Sequence, residues 1–417
     1  MEEEAVSVGW ELMEDEEEEE EEERVWSWGA GTDGQLGTGS ANDHHLPQQL
    51  PLSPSSAARP ISHIACGGAH AIALLQGGRV LTWGRGNCGQ LGHGDLLNSL
   101  KPKLVEFFKN IVICHVSAGW NHSGFVSDTG CLFTCGDGSF GQLGHGDCQS
   151  HSSPIEVLFF NSKHVVQIEC GMRHSLTLSK GTSGDSLHGF GSGRRGQLGI
   201  STDRKSRSFA VPQAIYGLED VEIASICANG DHSVALSANG NLYIWGRGFG
   251  GASDAYCPQL LPSPLKFSQV AVGWNHALLL TDSGEVFMLG GNHHGMLSNS
   301  QQMSHEQQSP LHCTPSTSSH EVCNTPLIPM RVPGLNGKKV LVVAAGAEHS
   351  AIVTENGTVM TWGWGEHGQL GLGNTFDQTS PQIVRLTESG PSDDHGPLRV
   401  YCGSGFTIAG GPVSSQS

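Results

Sequence analysis

A thirteen-residue pattern, a short strand ending in Trp-Gly followed by a Gly-x-x-Gly-Gln-Leu-Gly turn, recurs along this chain and limits its fold more than any other feature. It reads VWSWGAGTDGQLG at 25–37, VLTWGRGNCGQLG at 80–92, LFTCGDGSFGQLG at 132–144, LHGFGSGRRGQLG at 187–199 and VMTWGWGEHGQLG at 359–371. Two degenerate copies, LYIWGRGFGG at 242–251 and VFMLGGNHHGML at 286–297, complete seven. The strand-ending glycines Gly29, Gly84, Gly136, Gly191, Gly246, Gly290 and Gly363 lie 55, 52, 55, 55, 44 and 73 residues apart.

A second motif alternates with the first: Gly-x-x-His and then an apolar strand. It begins at Gly67, Gly119, Gly171, Asn229, Gly273 and Gly346, with a last copy, GSGFTIAG, at Gly403. A short Gly-bearing turn joins the two motifs, so each pair reads as a β-hairpin. About fifty residues per repeat gives four short strands, the content of one propeller blade. A lone blade cannot bury both faces, so seven blades stack around an axis. The reading is therefore all-β: a seven-bladed β-propeller over 24–410. The first strand-turn motif has no Gly-x-x-His strand before it and the last Gly-x-x-His strand has no strand-turn motif after it. One blade is thus expected to form by pairing the N- and C-terminal strands, which removes the sheet edge.

Residues outside the period are few. Residues 1–23 hold fourteen Asp and Glu and no base; this block supplies most of the formal charge of −19, leaving 27 acids against 22 bases. Such a run of like charge is expected to stay disordered. Residues 251–268 are shortened and Pro-rich, residues 298–333 form an insertion rich in Ser, Gln, His and Pro, expected as a flexible loop, and 411–417 are a C-terminal tail.

Within the repeat, Trp28, Trp83, Trp245 and Trp362 suit burial between blades. The histidines at 70, 122, 174, 232, 276 and 349 occupy one equivalent position per blade. Spread around a ring they cannot make one active site, and each is expected to hydrogen-bond backbone groups of a neighbouring turn. The next-to-last position of each Gly-x-x-His motif should ring one face near the axis. It carries Asn121, Arg173, Asp231, Asn275 and Glu348, beside Trp120 and Trp274, and these seven residues form the candidate partner-binding face. A second candidate is a basic patch of Arg194, Arg195, Arg204, Lys205 and Arg207, suited to an acidic partner.

Several function classes find no support in the residues. The Gly-x-Gly strings follow strands and precede turns, not helices, so they are not phosphate loops, and no Walker lysine, GxSxG or HExxH is present. No catalytic residue and no cofactor is assigned. His312, Cys313, His320 and Cys323 are metal-binding residue types, but their irregular spacing leaves the metal assignment empty. The twelve cysteines do not look like a disulfide framework, and several, such as Cys66, Cys170 and Cys402, sit in apolar strand contexts. No basic excess points to nucleic acid, no apolar run reaches membrane length, and the expected compartment is cytoplasmic, nuclear or both.

The WGxGxxGQLG and GxxHS elements resemble those of the regulator-of-chromosome-condensation repeat family, over residues 24–410. The resemblance implies a seven-bladed propeller and functions that are mostly binding: scaffolds, ubiquitin-pathway subunits, guanine-nucleotide exchange factors for a Ran-type small GTPase, and a plant ultraviolet-B receptor. The partners so implied are proteins, including a small GTPase. GWNHS at 119–123 and GWNHA at 273–277 are similar to that receptor's Gly-Trp-Arg-His-Thr motifs. Its tryptophans come from consecutive blades, however, whereas here two blades without Trp separate Trp120 from Trp274, and Asn121 and Asn275 replace Arg. The two indoles are therefore expected not to cluster, and light sensing is not expected.

Overall fold

The computed structural model describes residues 23–52, 60–181, 184–200, 208–291, 327–386 and 398–412. Seven four-stranded antiparallel sheets follow one another around an axis. Numbered in chain order, blades 1 to 6 cover residues 61–104, 113–156, 164–214, 223–260, 267–331 and 340–383. Blade 7 combines Arg399–Cys402 and Phe406–Pro412 with Glu23–Gly29 and His44–Gln49. The join is a continuous antiparallel ladder from Glu23↔Pro412 to Gly29↔Phe406. Closure by the two ends is as the repeat phase requires, and its strands reach one residue before 24 and two beyond 410. Met330–Arg331, inside the stretch expected as a loop, is instead the outer strand of blade 5, paired with Phe287 and Met288. The acidic run at 1–22, the bulk of the insertion at 298–326 and the tail at 413–417 lie outside the described residues.

Each blade is a meander whose first strand lines the axis and whose second is buried along nearly all its length, as in His70–Leu75 and His122–Ser127. The apolar core is divided among the seams. Seven clusters each draw on two neighbouring blades; Val25, Phe406 and Ile408 of blade 7, for example, pack on Ile64, Ala71 and Trp83 of blade 1. Trp28, Trp83, Trp245 and Trp362 are fully buried. Three of the indole N–H groups find carbonyls: Trp28 donates to that of Gln369 (2.9 Å), Trp83 to that of Gln35 (2.9 Å) and Trp245 to that of Gln197 (3.0 Å), each in the preceding blade's GQLG turn, whereas the Trp362 N–H is buried without a partner among the described residues. The repeat's glutamines hold those turns from within. Gln90 Oε1, for one, accepts from the backbone N–H of Cys88 at 2.9 Å.

The glycine after the Trp is required sterically. At Gly84, φ is +99° and an added Cβ would lie 2.5 Å from the carbonyl oxygen of Ala69. That closeness sets the Gly-x-x-His turn against the next loop: Arg85 N–H donates to Ala69 O at 2.8 Å, and equivalent bonds recur in all seven blades. Among the described residues no helix is long and apolar enough to cross a membrane. The ten described cysteines are free thiols.

Candidate functional site

The six repeated histidines are buried, but their partners differ from the expectation. Nε2 of His70, His122 and His174 lies 2.9, 2.9 and 3.0 Å from the hydroxyls of Ser123, Ser175 and Ser233 in the following blade. His276 meets Ser350 at 3.0 Å and His349 meets Thr407 at 2.9 Å. Those hydroxyls in turn donate to turn carbonyls: Ser123 to Gln90, Ser175 to Gln142, Ser233 to Gln197 and Thr407 to Gln369, at 2.6–2.9 Å. A hydroxyl has one proton to give, so the histidine must donate from Nε2, and with Nδ1 buried and unpartnered the ring is the neutral Nε2–H tautomer. Burial enforces the same state, pushing His70, His174 and His349 down to about 3 and His122 and His276 to about 4. Only His232, followed in the next blade by Ala277, takes backbone partners directly: its ring nitrogens lie 2.6 and 2.7 Å from the carbonyls of Arg247 and Trp274. A Ser–His contact is also how a nucleophile is activated. Here the serine proton is committed to a carbonyl and both side chains are sealed from solvent, so the belt is structural.

Closure leaves a mark on this belt. Blade 7 has Phe406 where the others have His, and the next blade has Ala71 where all the others but blade 5 have Ser or Thr, so an apolar pair replaces the relay and both residues are fully buried.

Above the belt, the Gly-x-x-His turns surround the axis and bond to one another. Gly68 N–H donates to Gly119 O (3.0 Å), Trp120 N–H to Gly171 O (3.1 Å), Trp274 N–H to Ala347 O (3.0 Å) and Ser404 N–H to Gly67 O (3.1 Å). Blade 4, where Asn229 replaces the first Gly, continues the ring through its side chain, Asn229 Nδ2 donating to Val272 O at 2.8 Å. Into this ring project Trp120 and Trp274. Expected to stand apart, they meet: their ring centroids are 4.9 Å apart with planes tilted by 47°. Blades 2 and 5 face each other across a seven-blade ring, so residues distant around the circumference converge at the axis. Glycine makes the room. An added Cβ at Gly68, one blade before Trp120, would come 2.8 Å from that indole, and one at Gly230, one blade before Trp274, would come within 3.4 Å of the other.

The polar members of the candidate face flank this pair. Asn275 Nδ2 donates to Glu348 Oε1. Asp231 Oδ1 accepts from Gln197 Nε2 at 2.9 Å. The exposed Arg173 stacks its guanidinium 4.9 Å from the Phe140 ring centroid. The main chain of these positions is held as well, since the carbonyls of Asn121, Arg173, Asp231, Asn275 and Glu348 accept from the residue after each strand-ending Gly, at 2.8–3.1 Å. The result is a rigid surface with an aromatic centre and a mixed-charge surround. The basic patch is less concentrated than its sequence: Arg195 is paired with Asp254 of blade 4 at 3.1 Å, Arg194 is exposed, and Arg204, Lys205 and Arg207 lie outside the described residues. His312, Cys313, His320 and Cys323 lie outside them too. Among the described residues no cluster of three or more metal-ligating side chains occurs.

Beneath the indoles the axis is hollow, and sequence reasoning overlooked its lining. Glu169, on the inner strand of blade 3, faces a cavity of about 170 Å³. Gln167 Nε2 donates to its Oε1 at 3.0 Å, and Ser117 Oγ lies 3.5 Å from Oε2. Burial pushes its carboxyl up to about 8. The signal was available: Glu169 is an acid at an inward-facing position of a strand that otherwise reads as core.

An RCC1-like domain model matches residues 24–409. The chain is 31% identical over 360 residues to the ultraviolet-B receptor UVR8 of Arabidopsis thaliana, covering 84% of this chain and 74% of the receptor. It is 31% identical over 406 residues to the secretion-regulating guanine nucleotide exchange factor of Mus musculus, covering 92% and 83%. Among solved structures, Prp20p of Saccharomyces cerevisiae superposes with a TM-score of 0.77 at 24% identity, covering 95% of this chain and 93% of that one.

Proposed function

Since the chain belongs to the RCC1-like domain family, we propose that it works as a rigid interaction propeller that presents the axial turns around Trp120 and Trp274 to a protein partner. The observation that carries this reading is the indole pair, half-buried at the centre of a braced face and surrounded by Asn121, Arg173, Asp231, Asn275 and Glu348. Binding energy concentrates on aromatic anchors at the middle of an interface, with a polar rim that fixes register. The backbone ring and the seven turn-to-loop bonds mean that little conformational entropy is lost when a partner docks.

A second reading is that the partner is a small GTPase whose nucleotide release this chain accelerates. It is favoured by the 31% identity to a guanine nucleotide exchange factor over 92% of the chain. Exchange needs no acid or base, only tighter binding of the nucleotide-free state. Fold alone does not choose between the two.

One experiment tests both. Partners are captured from extract on the wild-type propeller and on a Trp120→Ala/Trp274→Ala variant, each with excess Mg-GDP and with EDTA. Partners lost with the variant and indifferent to nucleotide support the interaction propeller. A GTPase enriched only in EDTA supports exchange. Capture unchanged by the double substitution overturns the axial face as the docking surface.

A further inference from the structure

Two cavities run end to end along the axis. The upper one, about 170 Å³, has Trp120 and Trp274 at the turn face and Ser117 and Glu169 in its wall. The lower, about 410 Å³, runs between the inner strands of blades 5, 6, 7 and 1 toward the opposite face, past Gln269 and Tyr401. They share His63 and Cys66 in their walls.

Glu169 is the unexplained group. The side chains packed around it are His115 and Ser117 from blade 2, Gln167 and Cys170 from its own strand, and Cys227 from blade 4. None of them is a cation at neutral pH. His115, 3.8 Å away, is held neutral by burial, and the cysteine thiols are pushed up and stay protonated. A carboxyl group thus sits, 22% exposed, in an axial cavity without a cation beside it, and two indoles line the same cavity. Carboxylate and aromatic face attract the same kind of ligand, an organic cation. The small volume admits one such group and little more.

We propose that the upper axial chamber is a binding site for a small organic cation, a primary ammonium or guanidinium group, held between the Glu169 carboxylate and the indoles of Trp120 and Trp274. The cation comes either as a free small amine or as the side chain of a Lys or Arg on a polypeptide entering the channel. Binding of the cation requires the ionised carboxylate, so it expels the proton that burial keeps on Glu169.

The test uses the full chain and ligand-observed saturation-transfer NMR with ethylammonium, with n-propanol as a neutral alcohol one heavy atom larger, and with the peptide Gly-Gly-Lys-Gly-Gly. Ethylammonium is expected to bind saturably and n-propanol not. Glu169→Gln, which keeps shape and hydrogen bonding, should weaken the cation by about tenfold or more. In the wild-type protein, affinity should rise by about fifty-fold from pH 6 to pH 8, following the ionised fraction of a group at about 8. This arm decides the matter should the variant fail to fold. Binding of the peptide in preference to ethylammonium assigns the side-chain source, and the reverse assigns the free amine. Equal binding of ethylammonium and n-propanol, or a pH-independent affinity, overturns the site. Since only purified protein and small probes are used, its failure is distinct from failure of the docking face.

Discussion

Acidification should dismantle the blade seams, and the size of the effect follows from the histidine belt. His70, His122, His174, His276 and His349 are buried as neutral donors with folded values of about 3 to 4, against 6.5 for the free ring. A folded value below the unfolded one means that the unfolded chain binds more protons between about pH 4 and pH 6.5. The stabilisation is therefore complete above about pH 7 and is lost as pH falls. At pH 5 each ring costs about 2 kcal/mol, and five together cost about 10 kcal/mol, comparable with the whole stability of a typical domain. His63, His115 and His188, all lowered, act in the same direction. Glu169, raised to about 8, acts oppositely and returns roughly 2–3 kcal/mol between pH 7 and pH 5. The net expectation is steep acid destabilisation. Urea unfolding followed by emission of the buried tryptophans, at half-unit steps from pH 8 to pH 5, measures it. A midpoint that stays level over that range, or belt histidines titrating near 6.5 in NMR spectra of the folded protein, would refute the reasoning.

Two further predictions concern the repeat. Gly84→Ala should destabilise by about 3 kcal/mol or more, because it combines positive φ with a Cβ 2.5 Å from a carbonyl oxygen. Gly337→Ala, at φ +74° with nothing within 4 Å of the added carbon, should cost only about 1 kcal/mol in the same denaturation assay. Phe406→His, which buries an imidazole facing Ala71, should cost about 2–3 kcal/mol; adding Ala71→Ser should restore the relay and recover about 1 kcal/mol or more. A double-mutant cycle with no coupling would show that the relay does not stabilise the seam.

The ring was legible because each blade repeats the same local instructions. Trp83, Gly84 and Gln90 each act within one blade or on its neighbour, and seven copies average out the degenerate ones. What escaped was whatever depends on distance across the ring. Trp120 and Trp274 look isolated when blades are counted along the circumference, yet their contact depends on the channel's width and on the space left by Gly68 and Gly230. The serine after His122, His174, His232 and His349 looked like part of a strand, but its role appears only when the neighbouring blade supplies the imidazole. Met330–Arg331 was hidden for another reason: a two-residue edge strand carries too little periodicity to stand out beside a long polar insertion.

The ladder from Glu23↔Pro412 to Gly29↔Phe406 ties the fold to the order of synthesis. The strand from Glu23 is made before its inner neighbours Arg399–Cys402 and Phe406–Pro412, and it must wait for them while some 370 intervening residues are made. Until Phe406–Pro412 emerges, the indole of Trp28 and the seams on both sides of blade 7 have no cover. The nascent chain is thus an open, sticky arc that becomes a sealed ring in one late step. Truncation ahead of Phe406 would release that arc, making the Phe406–Pro412 strand a checkpoint between a closed ring and a chaperone client.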